Sequence, residues 1–121
     1  MLVAVSDAMV RLYRDFTGKG PSHCKAHWAG PDILVILLRG GFTAAEDTLY
    51  EAGHGGAVRD ARQKLQDTLE TRFNGMIEEL TGRRVTAFMS AAHQHPDLQA
   101  ELFLLETQEG HDPLIGDVPP E

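Results

Sequence analysis

Apolar side chains recur three and four positions apart at Leu2, Val5, Met9, Leu12, Tyr13 and Phe16, which lays them along one stripe of a helix that faces a core. Thr17-Gly18-Lys19-Gly20-Pro21 stops that helix, because glycine accepts the left-handed cap conformation and proline cannot continue the backbone ladder. The period then falls to two. Over 22–28, Cys24, Ala26 and Trp28 alternate with His23, Lys25 and His27, as in a half-exposed strand. Ala29-Gly30-Pro31-Asp32 is the turn. Ile33 to Leu38 is a continuous apolar run closed by Gly40-Gly41, which predicts a central strand buried on both faces.

Thr43-Ala44-Ala45-Glu46 has the spacing of a capping box and predicts a short helix to about Ala52. Gly53-His54-Gly55-Gly56 breaks it. Val58, Leu65, Leu69, Phe73, Met76, Ile77 and Leu80 then mark one face of the longest helix, which Thr81-Gly82 ends. Gly75 inside it costs about 1 kcal/mol relative to alanine, and close packing against a neighbour is the expected reason for it. Strands are expected over Val85–Met89 and Leu98–Glu106, with a polar turn over Ala92–Asp97 between them. Shifting the chain by 64 positions lays Val5, Met9, Leu12, Tyr13 and Phe16 on Leu69, Phe73, Met76, Ile77 and Leu80, and Thr17-Gly18 on Thr81-Gly82. This suggests a helix-strand-strand pseudo-repeat, with a chance match of helical periods as the alternative. The fold class expected is α+β, a mainly antiparallel four-stranded sheet with helices packed on one face. Strands that are apolar on both faces need cover on each side, so a homodimer is expected as well.

At 121 residues and 13.3 kDa the chain suits one domain, placed at 1–106. From Thr107 on it has four acids, three prolines and no lysine or arginine, and 107–121 is expected to be a mobile tail. The net charge of −7 disfavours nucleic acid as a partner. A single cysteine, Cys24, and no recognisable leader suggest a reducing, cytoplasmic setting. The run 33–38 is far shorter than the roughly 20 residues a spanning helix needs, so no direct membrane insertion is expected.

Candidate chemistry is sparse. Thr17-Gly18-Lys19-Gly20 resembles a phosphate loop only in part, since Tyr13 stands where that pattern needs glycine and Gly20 where it needs serine or threonine. His23 and His27 share a strand face but lie about 13 Å apart, too far to ligate one ion. His93 and His95 beside Asp97 read as solvated loop residues, as does His54, and no metal or cofactor is expected. Glu46, Asp47, Glu51, Glu78 and Glu79 read as charges on solvated helix faces. Cys24 reads as inert packing. Arg59, Arg62, Lys64 and Arg72 lie among Asp60, Asp67 and Glu70, which suggests a salt-bridged surface. No catalytic residue is assigned, and the reading leans away from an enzyme.

Taken in order, Gly18-Lys19-Gly20-Pro21, Thr43-x-x-Glu46-x-x-Leu49, Val58 to Arg62, Glu78-Glu79-Leu80-Thr81-Gly82-x-x-Val85 and Phe103-x-Leu105-Glu106 resemble the bacterial MpsC family over Val5 to Glu106. Phe42 departs from the leucine expected before Thr43, and the acidic tail is particular to this chain. The resemblance implies a soluble component beside membrane proteins of a sodium-translocating, membrane-potential-generating and inorganic-carbon uptake system, with no established catalytic residues. Gly18, Gly20, Pro21, Thr81 and Gly82 are then helix stops, and Thr43 and Glu46 a helix start. Two functions follow as expectations. One is a non-catalytic accessory module, cytoplasmic or peripheral to the membrane through a protein partner. The other is a small-ligand or anion-binding protein, or a modest enzyme, using Lys19, Arg83 and Arg84, which requires a pocket joining their two loops.

Overall fold

The computed structural model describes residues 1–94 and 96–107; the tail from residue 108 and the candidate ligand His95 lie outside the described residues. Helix α1 (Leu2–Thr17) buries Val5, Met9 and Tyr13, each four residues from the next. Phe16 departs from that stripe. It is 39 % exposed, and the Arg72 guanidinium sits 4.8 Å from its ring centroid. Gly18 ends the helix at φ 77°, a conformation a side chain resists, with its N–H donating to the Arg14 carbonyl. The Thr17 hydroxyl donates to the Tyr13 carbonyl and accepts from Lys19 N–H.

Strands β1 (His23–Trp28) and β2 (Ile33–Arg39) form a hairpin. Helix α2 (Ala44–Glu51) starts in the expected capping box at Thr43 and Glu46, and buries no residue of its own. Helix α3 (Gly55–Thr81) begins three residues before the first apolar position. Gly55 therefore belongs to the helix, where an added Cβ would meet the Tyr50 ring at 3.0 Å. The buried stripe of α3 is Val58, Arg62, Gln66, Leu69, Phe73 and Ile77, so its first half turns polar groups inward. Gly75 is not explained by close packing, since a Cβ there meets nothing within 4 Å. Gly82 closes α3 at φ 68°, and Thr81 bonds to Ile77 and Arg83 as Thr17 does to Tyr13 and Lys19.

Strands β3 (Val85–His93) and β4 (Leu98–Leu105) form the second hairpin. Strand β3 runs four residues further than expected and takes in His93, and its register shifts between Val85 and Ala87. The sheet order is β1-β2-β4-β3 with every neighbouring pair antiparallel, which gives an α+β fold with β2 and β4 central. Alternate residues of the two central strands, Leu34, Ile36, Leu38, Phe103 and Leu105, join Val5, Met9, Tyr13, Leu69, Phe73 and Ile77 in one core. A line of rings crosses it, Tyr13 to Phe73 at 5.7 Å, Phe73 to Phe88 at 5.7 Å and Phe88 to Phe103 at 4.9 Å.

Candidate functional site

Burying a polar side chain is costly unless a partner is built for it. Four such side chains, of Tyr13, Arg62, Gln99 and Glu101, meet the half-buried Glu46 where α1, α2, α3 and β4 converge. Arg62 is 3 % exposed; its Nε donates to Glu46 Oε2 at 2.6 Å and its Nη2 to Glu46 Oε1 at 2.8 Å. Nη2 also donates to the Gly41 carbonyl at 2.6 Å, and Nη1 to Gln99 Oε1 at 3.0 Å. Gln99 Nε2 donates onward to the Tyr13 hydroxyl and, at 2.6 Å, to Glu101 Oε1, while the Tyr13 hydroxyl donates to the same Glu101 oxygen. The Phe42 ring lies 4.4 Å from the Arg62 guanidinium carbon, so an aromatic face covers the charge.

Electrostatics divide this cluster. Partial burial works against the Glu46 charge, but the Arg62 guanidinium and the Thr43 N–H and hydroxyl outweigh it and hold the carboxyl below its ordinary range. Glu101 is fully buried, and burial pushes its carboxyl up despite hydrogen bonding from Tyr13 and Gln99. Burial, then the Glu101 charge, raises Tyr13 well above the ordinary tyrosine range. Among the described residues, Glu101 Oε2 and Gln66 Nε2 are buried without a hydrogen-bond partner. Tyr13, Gln99 and Glu101 hydrogen-bond to one another and are buried, which makes them a structural link between α1 and β4.

The opposite rows of the sheet have a different character. Residues paired directly across strands share a face, and the rows that alternate with the core rows read His23, Arg39, Leu98, His93; Lys25, Leu37, Ala100, Ala91; His27, Val35, Leu102, Met89; and Ile33, Leu104, Ala87. No acid occurs in them. Met89 is 59 % and Leu37 38 % exposed. At the β1 side a cleft of about 440 Å³ is lined by His23, Lys25, His27, Leu37, Arg39 and Leu98 together with Cys24. Neither Lys25 nor Arg39 has an ion-pair partner among the described residues. Burial pushes the Cys24 thiol up to about 11, which leaves it a weak nucleophile near neutrality.

The basic residues singled out in the sequence lie apart. Exposed Lys19 donates from Nζ to the Phe42 carbonyl at 2.7 Å, at the end of the sheet where His23 pairs with Arg39. Arg83 is at the other end, where its guanidinium pairs with Asp32 and donates to the Pro31 and Glu106 carbonyls. Arg84 is exposed beside it, its carbonyl accepting from Glu106 N–H. Gly20 packs against α1, where a Cβ would meet Val10 at 3.3 Å, and Pro21 follows it half-buried. His23 and His27 lie on one face, two rows apart. Among the described residues no three His, Cys, Asp or Glu side chains are grouped to hold a metal ion. Sequence reasoning missed Arg62 as a buried residue and passed over Gln66, Gln99 and Glu101. The one available signal was that Arg62 and Gln66 continue the four-residue spacing from Val58.

A small α+β protein with an antiparallel sheet, a cationic cleft and no helix among the described residues long and apolar enough to cross a membrane is the class defined here. The family model described as the Na+-translocating membrane potential-generating system (MpsC) matches residues 1–108. The chain belongs to the MpsC family. No curated protein and no solved structure matches it.

Proposed function

We propose that this chain is a non-catalytic accessory module of a sodium-translocating membrane system, working as a homodimer on the cytoplasmic side and held near the membrane by a protein partner. Its family membership supports the setting, and the observation that carries the reading is the acid-free set of sheet rows with Leu37 and Met89 facing water. Contiguous apolar surface of this kind is what association between polypeptides covers. The polar cluster supports the non-catalytic part, because Tyr13, Gln99 and Glu101 are spent on one another beneath the core.

Analytical ultracentrifugation of the purified chain at micromolar concentration tests the reading, with the mass of two copies expected. A strictly monomeric chain that also retains no membrane subunit when captured from detergent-solubilised membranes would overturn it. The anion-binding alternative loses its geometric basis, since Lys19 and Arg83 stand at opposite ends of the sheet and the Arg83 guanidinium is engaged by Asp32 and two carbonyls.

A further inference from the structure

The charges of this chain are unevenly distributed. Of its net −7, four negative charges come from Glu109, Asp112, Asp117 and Glu121, all in the segment that follows the described residues. The same segment carries Leu114, Ile115 and Val118 among those acids, and no lysine or arginine. On the folded part, the rows opposite the core hold Lys25, Arg39, His23, His27 and His93, and no acid. The cleft there sets two cations with no ion-pair partner among the described residues around Leu37 and Leu98, which is the complement of a peptide that alternates acids with aliphatic side chains.

We propose that the chain's own segment 108–121 docks in this cleft, its acids beside Lys25 and Arg39, with Ile115 against Leu37 and Val118 against Leu98. Reach permits it. Strand β4 ends at Leu105, at the end of the sheet away from the row of His23 and Arg39. Its eight residues span roughly 26 Å, whereas the fourteen residues after Thr107 extend up to about 46 Å, enough to turn back along the face to that row. Three prolines, at 113, 119 and 120, suit an extended segment held by side chains rather than one added to the sheet as a strand. The seat lies on the β1 side, so the apolar rows near Met89 stay open to a second copy, and the inference does not depend on the dimer.

The test places a nitroxide label on Gly116→Cys in a Cys24→Ala background of the full chain and reads paramagnetic relaxation at the backbone amides. Docking predicts relaxation several-fold stronger at Lys25, Leu37, Arg39 and Leu98 than at α3 amides. It also predicts loss of that contrast in the Lys25→Glu/Arg39→Glu variant and at high salt, with the dispersion of the amide spectrum unchanged. Uniform relaxation, or contrast unaffected by the charge reversal, would overturn the proposal. So would contrast that appears only when labelled chain is mixed with a separate isotope-enriched chain, because the segment would then dock on another copy.

Discussion

Arg62 of α3 and Glu46 of α2 form a two-point ion pair, and the same Glu46 carboxylate accepts Thr43 N–H at 2.9 Å to close the α2 capping box. One side chain thus starts a helix and fastens it to its neighbour. Helix α2 buries no residue, so this joint takes over the part that an apolar stripe plays in α1. Replacing Arg62 by alanine leaves the buried Gln99 carbonyl without a donor and Glu46 with only its Thr43 donors, and should cost about 3 kcal/mol in urea unfolding. Arg62→Lys should recover only a minor part, since an ammonium cannot present the planar fork that reaches Glu46, Gly41 and Gln99 together. Full recovery by lysine would show that only the charge matters.

Glu101 and Glu46 should make stability depend on pH in opposite directions. The folded-state value of Glu101 lies above its unfolded value, so the native state holds the proton more tightly and stability falls as pH rises from the ordinary carboxylate range through the raised value. Glu46 is depressed, so its contribution is present above the ordinary carboxylate range and is lost as pH falls through the lowered value. Urea unfolding across pH should show Glu101→Gln removing the decline on the alkaline side and leaving the acid-side loss in place. An unchanged slope above the carboxylate range would mean that Glu101 is not the group responsible.

Two glycines of the same helix should respond in opposite directions. Gly75 is exposed and a Cβ there meets nothing within 4 Å, so Gly75→Ala should raise stability by about 1 kcal/mol. A Cβ added at Gly55 would meet the Tyr50 ring at 3.0 Å and Gln94 Oε1 at 3.1 Å, so Gly55→Ala should lower stability and loosen the α2–α3 junction. Thermal unfolding of the two variants checks both signs.

Cys24 should alkylate slowly. With its thiol pushed up to about 11 by burial, the rate with iodoacetamide at pH 7.5 should lie well below that of a free thiol, and should climb steadily with pH towards 11. Fast modification near neutrality would contradict the placement of the thiol.

The legible part of this fold is the part governed by period and punctuation. Val5, Met9 and Tyr13 announced α1, Thr43 and Glu46 announced α2, and Gly18 and Gly82 closed helices where left-handed backbone is needed. The central position of β2 followed from its unbroken apolar run, although only its alternate residues are fully buried. What stayed hidden depends on contacts between distant segments. Arg62 stands among surface-like charges in the sequence and becomes a core residue only because Glu46, Gln99 and Gly41 converge on it. Glu101 stands in an apolar strand, and its burial rests on Tyr13, 88 residues away. The cationic cleft was equally out of reach, since it needs the register that sets His23 beside Arg39 and Arg39 beside Leu98.

Whether the chain serves a membrane transport system is tested most directly by affinity capture of the tagged protein from detergent-solubilised membranes of its own cells, with mass spectrometry after a salt wash. Wild-type chain should retain an ion-translocating membrane subunit, and Met89→Glu, which places a charge at a 59 % exposed position in the acid-free rows, should retain several-fold less while unfolding at the same temperature. Recovery of the chain's own copies alone, from membranes that contain the transport subunits, would contradict the account.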